Sequence, residues 1–165
     1  RFWESFTIPL RTRRYWPLTF TTGLRTTETI RKFLRIIPTR LCSVGINDIK
    51  AGNKVADGTK YLKQLIEKLL AEKPTLVIHL VSVNKNPASN FYKAKIEEWN
   101  AIMREYCEEG TNLYFIDNQD AFLNEDGSYN TDCFIEDKLH FSATGYSVYE
   151  RLLDNYYYDY RKSVG

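Results

Sequence analysis

Apolar residues fall into two kinds of pattern that alternate along the chain. Strand-like, mostly apolar runs occur at residues 40–44, 76–83 and 113–117, and the run at 76–83 is long enough to fit a strand buried on both faces of a parallel sheet. Apolar residues at helical spacing occur at residues 59–73 and 92–109, and again after Ser142. Strands that alternate with helices predict an α/β fold, a flavodoxin-like three-layer α/β/α sandwich with a mostly parallel sheet.

The first part of the chain has a weaker pattern. Residues 15–21 are rich in aromatic and β-branched side chains, which favours a further strand. Residues 26–34 begin with a Thr pair and an early Glu, which predicts a capped helix start. No linker, repeat or low-complexity tract divides the sequence, so we expect one domain over residues 1–165, with residues 1–25 atypical and the first strand truncated or altered.

Composition is that of an ordinary globular domain. The 165 residues are 43% hydrophobic and 27% charged, which suffices for a substantial core. No apolar run is long enough to cross a bilayer and no signal peptide is visible. Because the chain begins at Arg1 and not at Met, we expect that an upstream segment was removed or omitted. The compartment, cytoplasmic or secreted after processing, stays open.

Charge is unevenly distributed. The formal net charge is +2, but residues 1–40 hold nine Arg and Lys against two Glu. Such a basic arm would suit an anionic partner such as a nucleic acid. The interleaved basic and aromatic residues of a recognised nucleic-acid-binding module do not accompany it, so we do not expect nucleic-acid binding.

Three cysteines, Cys42, Cys107 and Cys133, are widely spaced and cannot all pair within the chain. They lack a Cys-x-x-Cys metal-binding pattern. We therefore expect buried or half-buried free thiols and no metal site.

The two histidines occupy very different surroundings. His79 lies inside the apolar run 76–83, which predicts a core histidine with a local hydrogen bond. His140 lies in a polar loop three residues after Asp137. At that spacing the carboxylate can hold one ring nitrogen and leave the other to accept a proton from a nucleophile. The alternative is a loop histidine beside a capping Asp. Ser142, just beyond, is a plausible N-cap of the last helix.

A second motif follows the strand predicted at residues 40–44. It reads Gly45-Ile46-Asn47-Asp48, and together with Asp137-x-x-His140 it resembles the SGNH hydrolases, the GDSL-type esterases and lipases. The resemblance covers residues 26–153 and is looser over residues 1–25. It implies an oxyanion-hole side chain at Asn47, a catalytic acid and base at Asp137 and His140, and no metal or organic cofactor. We expect Asp48 to support its loop through hydrogen bonds.

The same resemblance implies a nucleophile in the segment Trp3-Glu4-Ser5-Phe6-Thr7. Ser5 and Thr7 match the family pattern Gly-Asp-Ser-x-Thr, whereas Trp3 stands in the place of its glycine. The backbone N–H groups of Ser5 and Gly23 would complete the oxyanion hole, although Gly23 is one or two places out of register. Alternatively, Ser5 is an exposed serine and Gly23 a turn residue.

Ser82 and Ser89 are rival nucleophiles by location, since the polar loop at residues 84–90 is expected to border the cleft.

The favoured function is therefore a serine ester hydrolase that removes a small acyl group, such as acetyl, from an alcohol of a carbohydrate or lipid. The alternative is a catalytically impaired SGNH-fold pseudoenzyme or a carbohydrate-binding protein, motivated by Trp3 and by the register of Gly23. A flavodoxin-like nucleotide-binding domain is disfavoured because no Gly-rich phosphate loop is present. The expected partner is a small ester or acylated glycan. The sequence leaves the oligomeric state open.

Overall fold

The computed structural model of the chain describes residues 39–164. Ser5 and Gly23 lie outside these residues, as do the strand predicted at 15–21 and the helix predicted at 26–34. The structural findings below therefore concern the part of the domain that begins at the third predicted element.

Three parallel strands form the sheet in the described part of the chain. They are β1 (Thr39–Ser43), β2 (Val77–Val81) and β3 (Leu113–Ile116), in the order β1-β2-β3. In the register of the sheet, His79 lies opposite Leu41 on one side and Tyr114 on the other. The three strands predicted for this region are confirmed. β1 begins one residue before its predicted run begins and ends one residue before that run ends, whereas β2 and β3 are shorter than theirs.

Within residues 39–164, four α-helices and two short 3-10 helices lie between the strands or follow the last one. The α-helices are α1 (Ile46–Lys50), α2 (Val55–Glu72), α3 (Lys93–Glu109) and α4 (Ala143–Val164). The 3-10 helices are Pro87–Tyr92, called the 87–92 turn below, and Thr131–Cys133. The helical spacing in the sequence predicts that α2 begins at Thr59, whereas the helix begins four residues earlier, at Val55. Thr59 lies inside the helix, where its hydroxyl donates to the Val55 carbonyl at 2.9 Å.

Helices α2 and α3 cover one face of the sheet. Ile78 and Leu80 of β2 point to this face and belong to one buried cluster with side chains of both helices, among them Leu62, Ile66, Ile96, Trp99 and Met103. Alternate residues of a strand point to opposite faces, so His79 points to the other face. The apolar stripe predicted for α3 is thus confirmed as core.

Helix α4 covers the second face through its aromatic residues. His79 is fully buried, and its Nδ1 lies 2.8 Å from the Tyr156 hydroxyl. The His79 ring stacks on Tyr114 at 5.1 Å and makes edge-to-face contacts with Tyr157 and Tyr160 at 5.1 and 4.9 Å. The expected core histidine is confirmed, although its hydrogen bond comes from a distant helix. The chain therefore has the predicted three layers.

Cys107 and Cys133 are buried free thiols, as the sequence predicts for them. Burial, helped by the nearby Glu108 carboxylate, raises the pKa of the Cys107 thiol to about 12. Burial also raises the pKa of Cys133, with Asp132 adding to the effect. A thiol with a raised pKa is a poor nucleophile, so neither cysteine is a candidate for covalent chemistry.

Candidate active site

The segment that carries Asp137 and His140 folds as a tight hairpin, called the Asp-His hairpin (residues 134–141). Phe134 and Phe141 face each other in an antiparallel bridge at its base. The Ile135 N–H donates to the His140 carbonyl, and the Lys138 N–H donates to the Ile135 carbonyl, both at 2.9 Å. Lys138 has a φ of 58°, a left-handed conformation that turns the chain between the acid and the base.

The carboxylate of Asp137 is held at both oxygens. Its Oδ1 accepts from the backbone N–H groups of Leu139 and His140 at 2.9 Å each, and its Oδ2 is hydrogen-bonded to His140 Nδ1. The bond to the His140 ring, followed by the two backbone N–H groups, lowers the pKa of Asp137 to about 2. The carboxylate is therefore ionised at neutral pH. Such an acceptor favours the tautomer with its proton on Nδ1, which gives Nε2 a lone pair for proton transfer.

A small aromatic core holds the hairpin from below. Phe122 and Cys133 are fully buried, and Phe134 is nearly so. The Phe141 ring, directly after His140, stacks on Phe122 with ring centroids 4.5 Å apart. Because both ends of the hairpin are packed, its polar tip can keep one geometry while remaining open to solvent.

The start of α4 fixes the hairpin from the other side. The Ser142 hydroxyl accepts from the Gly145 N–H at 3.2 Å, which confirms Ser142 as the N-cap. Gly145 is buried, and a β-carbon there would lie 2.0 Å from the Cys133 carbonyl oxygen. Only glycine permits this close approach of helix and backbone. The sequence reasoning did not identify Gly145 as a positioning residue.

Asn47 occupies the second position of α1, directly beyond the carboxyl end of β1. Gly45 turns the chain there with a φ of 126°, and the Asn47 side chain is exposed. Asp48 is buried, and its Oδ1 accepts from the Asn53 side chain at 3.3 Å. The expectation that Asp48 supports the loop is thus confirmed.

The 87–92 turn contacts both the helix that carries Asn47 and the hairpin that carries Asp137 and His140. It contacts α1, and the Ala88 N–H donates to the Lys138 carbonyl at 3.2 Å. In the fold, the turn therefore lies between helix α1 and the Asp-His hairpin, at one end of the sheet. Asn47 lies on the first of these elements, whereas Asp137 and His140 lie on the last. The carboxyl ends of the strands in an open α/β sheet are the usual place for such sites.

Buried polar side chains hold this end of the sheet rigid. Asn100 donates to the Val83 carbonyl at 2.9 Å and accepts from the Val83 N–H at 2.8 Å. Asn86 caps the 87–92 turn by accepting from the Ser89 N–H at 2.9 Å. These amides fix the loop that leads from β2 to the site.

Ser82 and Ser89, the rival nucleophiles, are structural residues. Both are buried. The Ser82 hydroxyl donates to Asn118 Oδ1 at 2.6 Å and accepts from the Asn118 N–H at 2.8 Å. The Ser89 hydroxyl donates to the Asn86 carbonyl at 3.4 Å. Neither is presented to a substrate, so that alternative was wrong.

Within residues 39–164, no group of three or more His, Cys, Asp or Glu side chains is placed to hold a metal ion. The helices described here also include none that is both long and apolar enough to cross a membrane.

Comparison with known proteins identifies relatives. The model of the GDSL-like lipase/acylhydrolase family matches residues 22–148. Among curated protein sequences, none matches the chain.

Solved structures with the same fold include two hydrolases. A GDSL-like lipase from Bacteroides thetaiotaomicron is 17% identical with a TM-score of 0.63, and the match covers 84% of this chain and 70% of that one. A family 3 carbohydrate esterase from Clostridium thermocellum is 20% identical with a TM-score of 0.63, over 90% of this chain and 70% of that one.

The C-terminal domain of Drosophila Oskar is also similar, at 20% identity and a TM-score of 0.61, over 71% of this chain and 60% of that one. The chain spans 58–60% of the length of three of the matched structures. At these identities the likeness establishes the α/β/α fold.

Proposed function

Because the chain belongs to the GDSL-like lipase/acylhydrolase family, we propose that it is a serine ester hydrolase that removes a small acyl group, such as acetyl, from an alcohol. The observation that carries the proposal is the Asp137 carboxylate, which bonds the His140 ring through one oxygen and the hairpin backbone through the other. This is the arrangement that a general-base histidine requires.

Ser5 is the proposed nucleophile. His140 Nε2 takes the proton from the Ser5 hydroxyl as its oxygen attacks the ester carbonyl, and then delivers that proton to the leaving alcohol. A water molecule, activated by the same nitrogen, hydrolyses the acyl-enzyme. Asp137 holds the imidazole in the required tautomer and stabilises the imidazolium ion.

The oxyanion of the tetrahedral intermediate is assigned to the Asn47 side chain and to the backbone N–H groups of Ser5 and Gly23. An amide donor has no charge to titrate, so it stabilises the oxyanion at any working pH. Loss of one such donor typically costs about 3 kcal/mol, roughly a hundredfold in rate.

The openness of the hairpin supports this substrate class. The side chains of Asp137 and His140 are 44% and 40% exposed, which suits an acyl group on an accessible alcohol. A carbohydrate alcohol is supported by the similar fold of a family 3 carbohydrate esterase. A lipid ester is the other candidate, since a GDSL-like lipase has a similar fold as well.

A second candidate function is a catalytically impaired member of the family that binds carbohydrate. The observation behind it is Trp3, which stands where the family pattern has glycine beside the nucleophile. Retention of the paired Asp137 and His140 favours the enzyme.

A series of p-nitrophenyl esters from acetyl to palmitoyl tests the proposal. We expect the acetate ester to be hydrolysed fastest, and we expect His140→Ala to abolish turnover. A preference for long acyl chains would contradict the proposed substrate class. Equal slow turnover by the folded wild type and folded His140→Ala would favour the binding protein.

A further inference from the structure

Phe91 is the most exposed large hydrophobic side chain in the described part of the chain. It is 92% exposed, whereas the next most exposed, Tyr158 and Val164, are each 56% exposed. A single exposed apolar residue is common on protein surfaces, so exposure alone carries no functional meaning. The position of Phe91 and the way it is held make this residue distinctive.

Phe91 lies on the turn that connects the two catalytic motifs. In a 3-10 helix residues three apart align on one face, so Phe91 lies above Ala88, about 6 Å further along the axis. Ala88 is exposed too, and its N–H bonds the Lys138 carbonyl between Asp137 and His140. Ser89, on another face of the turn, is buried. The exposed ring therefore lies one turn of the 3-10 helix away from the residue that bonds the Asp-His hairpin.

Phe91 has an aromatic neighbour, and the residue before it is anchored. The Phe91 and Tyr92 rings meet edge to face at a centroid distance of 5.3 Å and an interplanar angle of 89°. The preceding residue, Asn90, accepts a hydrogen bond from the Tyr129 hydroxyl at 2.9 Å. A ring carried on an anchored turn loses less conformational entropy when a ligand packs on it than one on an unanchored loop.

Polar side chains lie on and next to the turn that carries Phe91. Asn90 and Tyr129 offer an amide and a hydroxyl, and Lys85, on the loop before the turn, is paired with Glu97 at 3.2 Å. An acyl chain would need a continuous apolar surface. A sugar ring instead presents C–H groups to an aromatic face and hydroxyls to polar neighbours, and this combination is what the surface around Phe91 offers.

We propose that Phe91 is an aromatic platform on which a sugar ring of an acylated glycan stacks, so that its ester is directed toward His140. The proposal rests on the proposed function for its catalytic meaning. It is nevertheless a statement about binding that can be measured without catalysis.

The test replaces Phe91 with Ala, Leu and Trp, and uses Tyr61→Ala as the matched control, since Tyr61 is an exposed aromatic residue on α2. Saturation-transfer NMR measures binding of xylotetraose, cellotetraose and chitotetraose. We expect at least one of these to bind the wild type, Tyr61→Ala and Phe91→Trp, and to lose its signal with Phe91→Ala and Phe91→Leu. Failure of all three sugars to bind the wild type, or binding that survives Phe91→Ala, overturns the proposal.

Kinetics on acetylated forms of the same sugars give the second readout. With Phe91→Ala we expect KM to rise about tenfold, the size of one good aromatic contact, with little change in kcat. A different result would assign the ring to an acyl chain and overturn the proposal. In that case Phe91→Ala raises the KM for long-chain esters, and Phe91→Leu keeps a normal KM. If sugar binding depends on Phe91 but the protein has no esterase activity, the proposed function is refuted and the proposal about Phe91 stands.

Discussion

The indole ring of Trp99 occupies the space that a β-carbon on Gly45 would need. Such an atom would lie 2.4 Å from Trp99 Cε2, and one on Gly58 would lie 2.5 Å from Cζ3 of the same ring. The ring thus packs directly on the backbone of the turn before α1 and of the first part of α2. The glycine of the Gly-x-Asn-Asp motif is therefore required by packing as well as by its φ of 126°.

Gly45→Ala is expected to destabilise the protein by about 2–5 kcal/mol, because strain at this φ and overpacking against Trp99 add together. Chemical denaturation measures the change. Gly52→Ala is the matched control, since Gly52 also has a positive φ of 82° but nothing within 4 Å of its would-be β-carbon. We expect the control to cost only about 1 kcal/mol. Equal losses in the two variants would show that Trp99 plays no part.

Gly145→Ala is expected to reduce activity by moving the start of α4 away from Cys133, since a β-carbon would lie 2.0 Å from the carbonyl oxygen. In an unhindered helix, replacing Gly with Ala would stabilise the protein by about 1 kcal/mol. A loss of stability in Gly145→Ala therefore identifies the close contact with the Cys133 carbonyl. Ser147→Ala, exposed on the same helix, is the control and should leave ester hydrolysis unchanged. A fully active Gly145→Ala would contradict the positioning role.

Asp137→Asn is expected to lower kcat by about 10³-fold or more, because the amide cannot stabilise the imidazolium ion and favours the wrong tautomer. The exposed turn residue Asp126, whose pKa is lowered by Ser128, offers a matched control. Asp126→Asn should retain wild-type kcat. Because the pKa of Asp137 is about 2, this carboxylate is ionised in the wild type throughout the pH range of such an assay. A loss of less than tenfold would argue against a catalytic pair.

His79 should make the protein sensitive to acid. Burial lowers the pKa of His79 from 6.5 to about 4. Between these values the unfolded chain binds a proton that the folded chain does not, so the free energy of unfolding falls as pH drops through this window, by up to about 3 kcal/mol. Its tyrosine neighbours have raised pKa values and stay neutral there.

Urea unfolding of the wild type and His79→Gln at pH 7 and pH 4.5 measures this effect. The variant is less stable at pH 7, but it should lose less stability on acidification than the wild type does. Parallel losses in both proteins would show that His79 does not carry the pH dependence.

Much of the fold was predictable because it rests on local patterns. The apolar runs gave β1, β2 and β3, and helical spacing gave α3 to within one residue at its start. The start of α2 was missed because Gly58 is a poor helix former in isolation. In the fold Trp99 packs on it, and this tertiary contact outweighs the helix propensity.

The candidate site was predictable only in part. The Asp137 and His140 pair and the cap at Ser142 follow from spacings of three residues, which the sequence shows directly. The roles of Gly145 and of the 87–92 turn depend on contacts between residues far apart in sequence, which no local pattern encodes. Ser5 and Gly23 stay predictions, as does the single-domain organisation.

Fluorophosphonate labelling followed by peptide mass spectrometry tests most directly whether His140 activates a serine in this chain. We expect the wild type to be labelled on Ser5 and folded His140→Ala to remain unlabelled. A label on another serine that also depends on His140 would keep the hydrolase and replace the nucleophile. Folded wild-type protein without a label on any serine would contradict the proposed enzyme.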